Sequence, residues 1–198
     1  MSETNIQRST RTQASIIQAV IRLAKDKSLD KVTVRDICSE AGVSIGSFYH
    51  HFSSRQELFH NAFLIFDATL EDQLPHNDDP PLVAAKEVLM IQTGFIVNEA
   101  GPLITEYYKN ILSDSNHSAV SPQRKYYRSV LYHLRRAADE GLLKEGFSPE
   151  YITELLIKFV RGCIIDWCLH DCDYDVVGLA SKELDLMISM VSKPAGSC

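Results

Sequence analysis

An all-α chain is predicted, with an N-terminal three-helix unit of the helix-turn-helix type followed by a larger helical unit, about nine helices in all. Three observations carry this reading. Apolar residues recur at spacings of three and four, as in Ile16, Ile17, Val20, Leu23 and Ala24, which is the period of a helix with one buried face. Alternating runs of the strand type are nearly absent. Helix starts and stops also fall in order along the chain, with Thr33, Ser44, Ser54 and Ser148-Pro149 as caps and Gly42 and Gly141 as stops. At 198 residues, 45% of them hydrophobic, the chain is long enough for one small domain and one larger one.

The first helix runs from about Arg11 to Lys27, behind a polar, flexible arm from Met1 to Thr12. Thr33 caps the next helix, Asp36 places negative charge at its positive end, and Val32 and Ile37 are spaced as a hydrophobic staple. Gly42 stands where a chain leaving a helix needs a left-handed residue. Ser44 then caps a third helix, whose Phe48 and Phe52 lie four apart and face the core. Its other face carries Ile45, Ser47, Tyr49 and His50. Ser54-Arg-Gln-Glu57 reads as a capping box opening a connecting helix from 54 to 74, with Leu58, Phe59, Ala62, Phe63, Phe66 and Leu70 as its apolar stripe.

His76 to Pro81, with two acids and two prolines, is the clearest linker. A helix follows from Leu82 to Asn98, its apolar set being Val83, Val88, Leu89, Ile91, Phe95 and Ile96. Another starts at Gly101-Pro102 and ends near Leu112, ahead of a polar loop from Ser113 to Ser121. A helix from Ser121-Pro122 to Asp139, one from Pro149 to His170 and one from Asp175 to Val191 complete the set, and Lys193 to Cys198 is a frayed tail.

From Ala14 to Leu58 the residues resemble the N-terminal DNA-binding domain of the TetR-type transcriptional regulators. The likeness rests on Thr33-Val34-Arg35-Asp36-Ile37, Ala41-Gly42-Val43-Ser44, Gly46, Phe48-Tyr49, His51-Phe52 and Glu57-Leu58. Three positions depart from that pattern: Ser28 replaces a usual glycine, Ala24 a large aromatic, and Ile45 a frequent lysine. The resemblance implies a regulator, repressor by family expectation, with residues 1–53 binding operator DNA and residues 54–198 pairing two chains and binding a small-molecule effector. It implies that Thr33, Tyr49, His51 and Arg55 position the domain on phosphates, while Arg35, Ile45, Ser47 and His50 meet base edges. Ser44 sits at the head of the reading helix, and Gly46 lets that helix approach the groove closely. Arg8 and Arg11 on the N-terminal arm reach toward DNA backbone or minor groove.

For the homodimer, broad apolar stripes on the last two helices offer Phe159, Val160, Cys163, Ile164 and Trp167 on one and Leu184, Met187, Met190 and Val191 on the other. For an effector the chain offers aromatic and polar side chains rather than a signature: Phe66, Phe95, Tyr107, Tyr108, Tyr126, Tyr127 and Trp167, with His133, Arg161 or Asp166 as polar anchors. Each tyrosine alone reads more readily as an ordinary half-buried packing residue than as part of a pocket. Asp166 lies in an apolar stretch and needs a partner, which is a ligand cation, Arg161 or the other subunit.

Cys163, Cys168 and Cys172 invite a metal or thiol-sensing reading, but the first two are five apart and point away from each other on a helix, so free buried cysteine is the expectation. Cys38 is read as structural and Cys198 as incidental. No metal or cofactor is expected. The catalytic motifs Gly-x-Ser-x-Gly, His-Glu-x-x-His, the phosphate loop and the dinucleotide fingerprint are all absent, so an enzyme is not expected. Competing readings are a diverged ligand-binding or protein-partner module without DNA binding, and an activator of the same fold.

Charge is uneven. Through His60 the chain carries eight Lys/Arg against six Asp/Glu, and beyond it twelve against twenty, for a net −6. A basic head on an acidic chain fits DNA contact through the first quarter only. Lys158 and Arg161 interrupt the most apolar segment, Leu155 to Ile165, so no membrane span is expected. The N-terminus lacks a signal-peptide core, so a cytoplasmic location is expected.

Overall fold

The computed structural model describes residues 5–26, 31–60, 66–67, 70–101, 103–112 and 120–194. Among these residues are nine helices: α1 (Asn5–Asp26), α2 (Val34–Ala41), α3 (Ile45–His51), α4 (Arg55–His60), α5 (Pro81–Phe95), α6 (Leu103–Leu112), α7 (Lys125–Asp139), α8 (Pro149–Leu169) and α9 (Val176–Val191). The fold is all-α, as the periodicity predicts. The chain forms two compact units, residues 1–68 with 103–119 and residues 69–102 with 120–198.

In the first unit α1, α2 and α3 pack on one another, and α4 packs on α6. Ile16, Ile17, Val20, Val32, Ile37, Phe48, Phe52 and Leu58 are its buried apolar residues, while Leu23 and Ala24 are only partly covered. Helix α1 starts at Asn5, six residues ahead of the expected start, so Arg8 and Arg11 stand on a helix rather than on an arm. Inside it the Thr12 hydroxyl donates to the Arg8 carbonyl at 3.0 Å. Met1 to Thr4, Lys27 and Ser28 lie outside the described residues.

The connecting helix expected over 54–74 is seen as α4 and, at its far end, as a 3-10 turn over Leu70–Gln73. The turn tightens there because Pro75 disfavours the α conformation at Leu74. Residues 61–65, with Ala62 and Phe63 of the expected stripe, lie outside the described residues, as does the side chain of Phe59. The cap at its start differs from the simple box. Ser54 accepts from the Glu57 N–H at 3.1 Å, but the Glu57 carboxylate accepts from the N–H and hydroxyl of Ser53, one residue earlier than expected.

In the second unit α5 packs on α7, α8 and α9, α8 packs on α7, and α9 packs on α8. Pro81 is the first residue of α5 rather than the end of the linker, since a residue without an N–H fits where that donor would have no partner. The buried positions of α5 are Pro81, Ala84, Ala85, Val88, Leu89 and Thr93, whereas Val83, expected in the core, is 58% exposed. Small alanines let α5 lie close to its neighbours, and a count of large apolar residues misses that face. The helix widens into a π turn over Ile96–Ala100. Helix α7 starts at Lys125, four residues later than expected, because Ser121 forms a turn instead: its hydroxyl accepts from Gln123 N–H and its carbonyl from Arg124 N–H. Ser148 and Asp175 cap α8 and α9. The residues joining α9 back to the α7–α8 loop form a lone bridge between Leu143 and Ser192, and Lys144 Nζ donates to the last carbonyls of α9, including Met190 at 2.9 Å.

The candidate DNA-reading helix

The turn into α3 is built from local chemistry. Thr33 caps α2 through a complete capping box: its hydroxyl accepts from the Asp36 N–H at 3.1 Å and the Asp36 carboxylate accepts from the Thr33 N–H at 2.9 Å. Sequence reasoning credited Asp36 with charge alone, although Thr-x-x-Asp is the signal for the reciprocal bond. Gly42 has φ +68°, the left-handed conformation that glycine adopts cheaply. It lets the Val43 N–H reach back to the Cys38 carbonyl at 3.0 Å and closes α2. Ser44 then accepts from the Ser47 N–H at 3.0 Å and starts α3.

Two faces of α3 result. Phe48 and Phe52 are buried, their ring centroids 5.8 Å apart, and they anchor the helix in the core. Ile45 and Tyr49 are 44% and 54% exposed, and Gly46 and His50 are exposed beside them. The Tyr49 ring stands edge-on to Phe48 at 5.3 Å, so the core fixes the base of the side chain and leaves the hydroxyl outward. His51 is half-buried, 5.1 Å from the His50 ring; burial, and then the charge of His50, hold its pKa below the usual imidazole value.

Thr33 and Arg35 are exposed at the start of α2, and Ser47 is half-buried. Arg55 has a second employment that the sequence did not signal: its Nη1 donates to the Val32 carbonyl at 2.7 Å, tying the start of α4 to the residue before the α2 cap. Arg22 and Glu40 form an ion pair that ties α1 to the end of α2. The scaffold behind the exposed side chains is therefore held at both ends by polar bonds and in the middle by Phe48.

A Cβ added at Gly46 would meet nothing nearer than the Ser44 hydroxyl oxygen, at 3.8 Å, which is ordinary contact. Nothing inside the chain requires glycine there. Gly46→Ala is expected to leave the fold as stable or more stable by about 0.5–1 kcal/mol. The same methyl at a closely packed DNA surface is expected to weaken operator binding by about 1–3 kcal/mol. Paired melting curves and gel retardation check both halves.

The effector candidates divide between the units. Phe66, Tyr107 and Tyr108 belong to the first, and Phe95, Tyr126, Tyr127, His133, Arg161, Asp166 and Trp167 to the second. Tyr126, His133 and Trp167 are buried, and Phe95, Tyr127 and Arg161 half-buried. Burial, and then the charge of Glu154, push the Tyr127 phenol up. Trp167 is engaged in a structural role, its indole N–H donating to the Tyr174 carbonyl at 3.0 Å. Asp166 corrects an expectation. Its side chain is 57% exposed rather than buried, and it accepts from the Tyr174 hydroxyl at 2.8 Å, with His170 at 3.5 Å. Tyr174 lies eight residues on, beyond any helical spacing the sequence offered.

The expected dimer residues also divide. Val160, Ile164, Trp167, Leu184 and Val191 are buried within the subunit, so they stabilise the second unit itself. Phe159, Cys163 and Met187 are half-buried and Met190 is 60% exposed. Exposed on the same two helices are also Leu179 and, not among the expected residues, Ile165, Leu169 and Leu186, with Leu169 at 76% and Leu186 at 63%.

Burial, followed by the Glu183 carboxylate, pushes the Cys163 thiol up to about 11, and its Sγ lies 3.7 Å from Glu183 Oε2. Cys172 is raised by burial and then by Cys168. Thiols so held stay protonated, which disfavours attack and metal binding alike. Among the described residues no group of three or more His, Cys, Asp or Glu is placed to hold a metal ion, and no helix is long and apolar enough to cross a membrane. Cys198 lies outside the described residues.

Residues 16–62 match the profile of bacterial regulatory proteins of the tetR family. The chain is 24% identical over 157 residues to the HTH-type transcriptional regulator YvdT of Bacillus subtilis, covering 74% of this chain and 77% of that one. Among solved structures it resembles Thermus thermophilus FadR, a TetR family transcriptional repressor in complex with lauroyl-CoA, at TM-score 0.71 and 16% identity, covering 94% and 98% of the two chains. It also resembles Bacillus subtilis FadR in complex with stearoyl-CoA, at TM-score 0.63 and 17% identity, covering 89% and 98%. A capped α3 with an anchored aromatic core and an exposed polar face, together with the profile match over that same segment, identifies residues 16–62 as a DNA-binding domain of the tetR type, and the fold of the whole is similar to that of TetR-family transcriptional regulators.

Proposed function

We propose that this regulator represses transcription as a dimer, residues 1–53 binding operator DNA and residues 54–198 pairing two chains and holding a small-molecule effector that releases the DNA. The observation that carries the reading is the exposed face of α3, where Ile45, Gly46, Tyr49 and His50 stand on a helix capped at its start by Ser44 and held by Phe48 and Phe52. Tyr49, His51, Thr33 and Arg55 supply donors of the kind that hold phosphates, while Ile45, Ser47, His50 and Arg35 supply the base-edge contacts.

Pairing follows from geometry and from surface chemistry. A duplex offers equivalent half-sites about 34–36 Å apart, and two chains read both. Ile165, Leu169, Leu179, Leu186 and Met190 give α8 and α9 exposed apolar side chains, which a partner would remove from water. Release is a population shift: an effector that prefers the arrangement in which the two α3 helices no longer match the grooves draws the dimer into it. A hundredfold change in DNA affinity needs about 2.7 kcal/mol of such coupling. The two FadR structures, each solved with an acyl-CoA, support a second unit that carries an effector.

The purified protein is expected to retard a fragment of its own upstream DNA at low salt, and to run as a dimer in light scattering. Failure to retard any such fragment, with the dimer intact, would favour the competing reading of a partner or ligand module that has lost DNA binding.

A further inference from the structure

A cleft of about 600 Å³ opens on the second unit, a size suited to a small organic ligand. Leu74, Pro75 and Asn77 line one side, and α7 contributes Lys125, Arg128, Tyr132 and Arg135. Those α7 residues span about 15 Å at a helical rise of about 1.5 Å per residue, so the cations form a row rather than a point. The N-terminus of this fifteen-residue helix opens into the same cleft through Lys125, and no side chain caps it.

Carboxylates offset part of this charge. Arg135 donates to Glu150 Oε1 at 2.8 Å, and Arg136, the next residue, lies 3.7 Å from Glu140. Arg128 is exposed and meets no carboxylate among the described residues.

A second, independent observation points to a ligand. His133 also lines the cleft, is 3% exposed, and its Nδ1 has no hydrogen-bond partner among the described residues. One turn further on, Arg136 Nη1 is likewise buried and unpartnered, while its Nη2 donates to the Asp79 carbonyl at 3.2 Å. Two neighbouring buried polar atoms left unsatisfied are uncommon in a folded core. Burial, and then the Arg136 charge, lower the His133 pKa against the pull of Asp79, so a neutral ring is what an incoming group meets. Neutral imidazole has one N–H to donate, and a phosphoryl oxygen is a fitting acceptor for it.

We propose that this cleft binds an organic diphosphate, its phosphoryl groups against Lys125 and Arg128, about 4.5 Å apart along the helix, with an oxygen reaching His133, and a flat apolar part resting on Leu74, Pro75 and Tyr132. Two cations about one helical turn apart fit two linked phosphoryl groups better than a single carboxylate, and the 47% exposed Tyr132 adds an aromatic ring to the lining for a planar group. As the seat of an effector the cleft rests on the regulator reading above. Ligand binding is measured without DNA, so loss of one claim leaves the other standing.

The probes are ADP and pyrophosphate, titrated into the full-length protein and followed by calorimetry and by the side-chain 15N signals of histidine. ADP is expected to bind and to move the His133 signal, with pyrophosphate binding more weakly. Arg128→Glu, an exposed change that spares the fold, is expected to weaken ADP at least tenfold and to leave DNA retardation intact; Tyr132→Ala is expected to weaken ADP but not pyrophosphate. No binding at millimolar ADP, or binding that survives Arg128→Glu, overturns the proposal. Equal affinity for ADP, pyrophosphate and inorganic phosphate, with no effect of Tyr132→Ala, also overturns it by showing only adventitious ion binding.

Discussion

Tyr49→Phe is expected to lose about 3–6 kcal/mol of operator affinity while the protein melts as before. The hydroxyl stands clear of the core, since Tyr49 is 54% exposed and its ring is fixed edge-on against Phe48. A hydrogen bond to a charged phosphate is worth about 1.5–3 kcal/mol, and in a dimer the loss is counted once per half-site. That is between roughly a hundredfold and ten-thousandfold in Kd. The phenyl ring stays in place, so the edge contact with Phe48 survives; alanine would remove both and confuse the two effects. Fluorescence anisotropy with labelled operator reads the loss. Unchanged affinity would mean that Tyr49 covers the helix pair without touching DNA, and a lost dimer would mean that the residue had been assigned to the wrong surface altogether.

Phe48→Ala should have the largest effect on the fold. The side chain is fully buried between α3 and the helices beneath it, in contact with Phe52 and with the base of Tyr49. Truncating such a residue costs about 3–5 kcal/mol, because transfer energy is lost and a cavity remains. For a small domain that is a large share of a total of about 5–15 kcal/mol, and it lowers the melting midpoint by roughly 10 °C or more. Ile45→Ala, three residues earlier on the exposed face, is expected to change stability by less than about 0.5 kcal/mol. Calorimetric melting of both variants separates scaffold from reading face. Equal melting points for the two would contradict the division of α3 into those faces.

What the sequence disclosed follows from how local each interaction is. The caps at Thr33, Ser44 and Ser148, and the left-handed turn at Gly42, bond over three to five residues, so the residue types alone announce them. The core face of α3 was legible for the same reason. Interactions closed by distant residues were not: Arg55 to the Val32 carbonyl spans 23 residues, and the hydroxyl that meets Asp166 comes from Tyr174, across the turn after α8.

Helix faces divided along a similar line. Periodicity shows that α8 and α9 are apolar on broad stripes, but which members are consumed inside the subunit depends on where α5 and α7 lie. Val160, Ile164, Leu184 and Val191 were consumed in this way, and Leu169 and Leu186, which carry no stronger hydrophobic signal, were left outside. On α5 the buried face includes two alanines, so a reading weighted by side-chain size chose Val83 instead.

The exposed Ile45 at the head of α3 has a consequence for how the protein behaves on bulk DNA. Each lysine that neutralises a phosphate releases condensed cations from the duplex, and the slope of log K against log salt steepens by about 0.9 per contact. An isoleucine in a position where resembling proteins often carry lysine releases none. Essentially all of a DNA-binding protein's grip on random sequence comes from such release, whereas a thymine methyl against Ile45 would reward one sequence over others at any ionic strength. On the proposed reading the exchange gives up some affinity for every site on the chromosome in return for a preference among them, and Ile45→Lys is expected to steepen the salt slope of binding by about 0.9 per half-site.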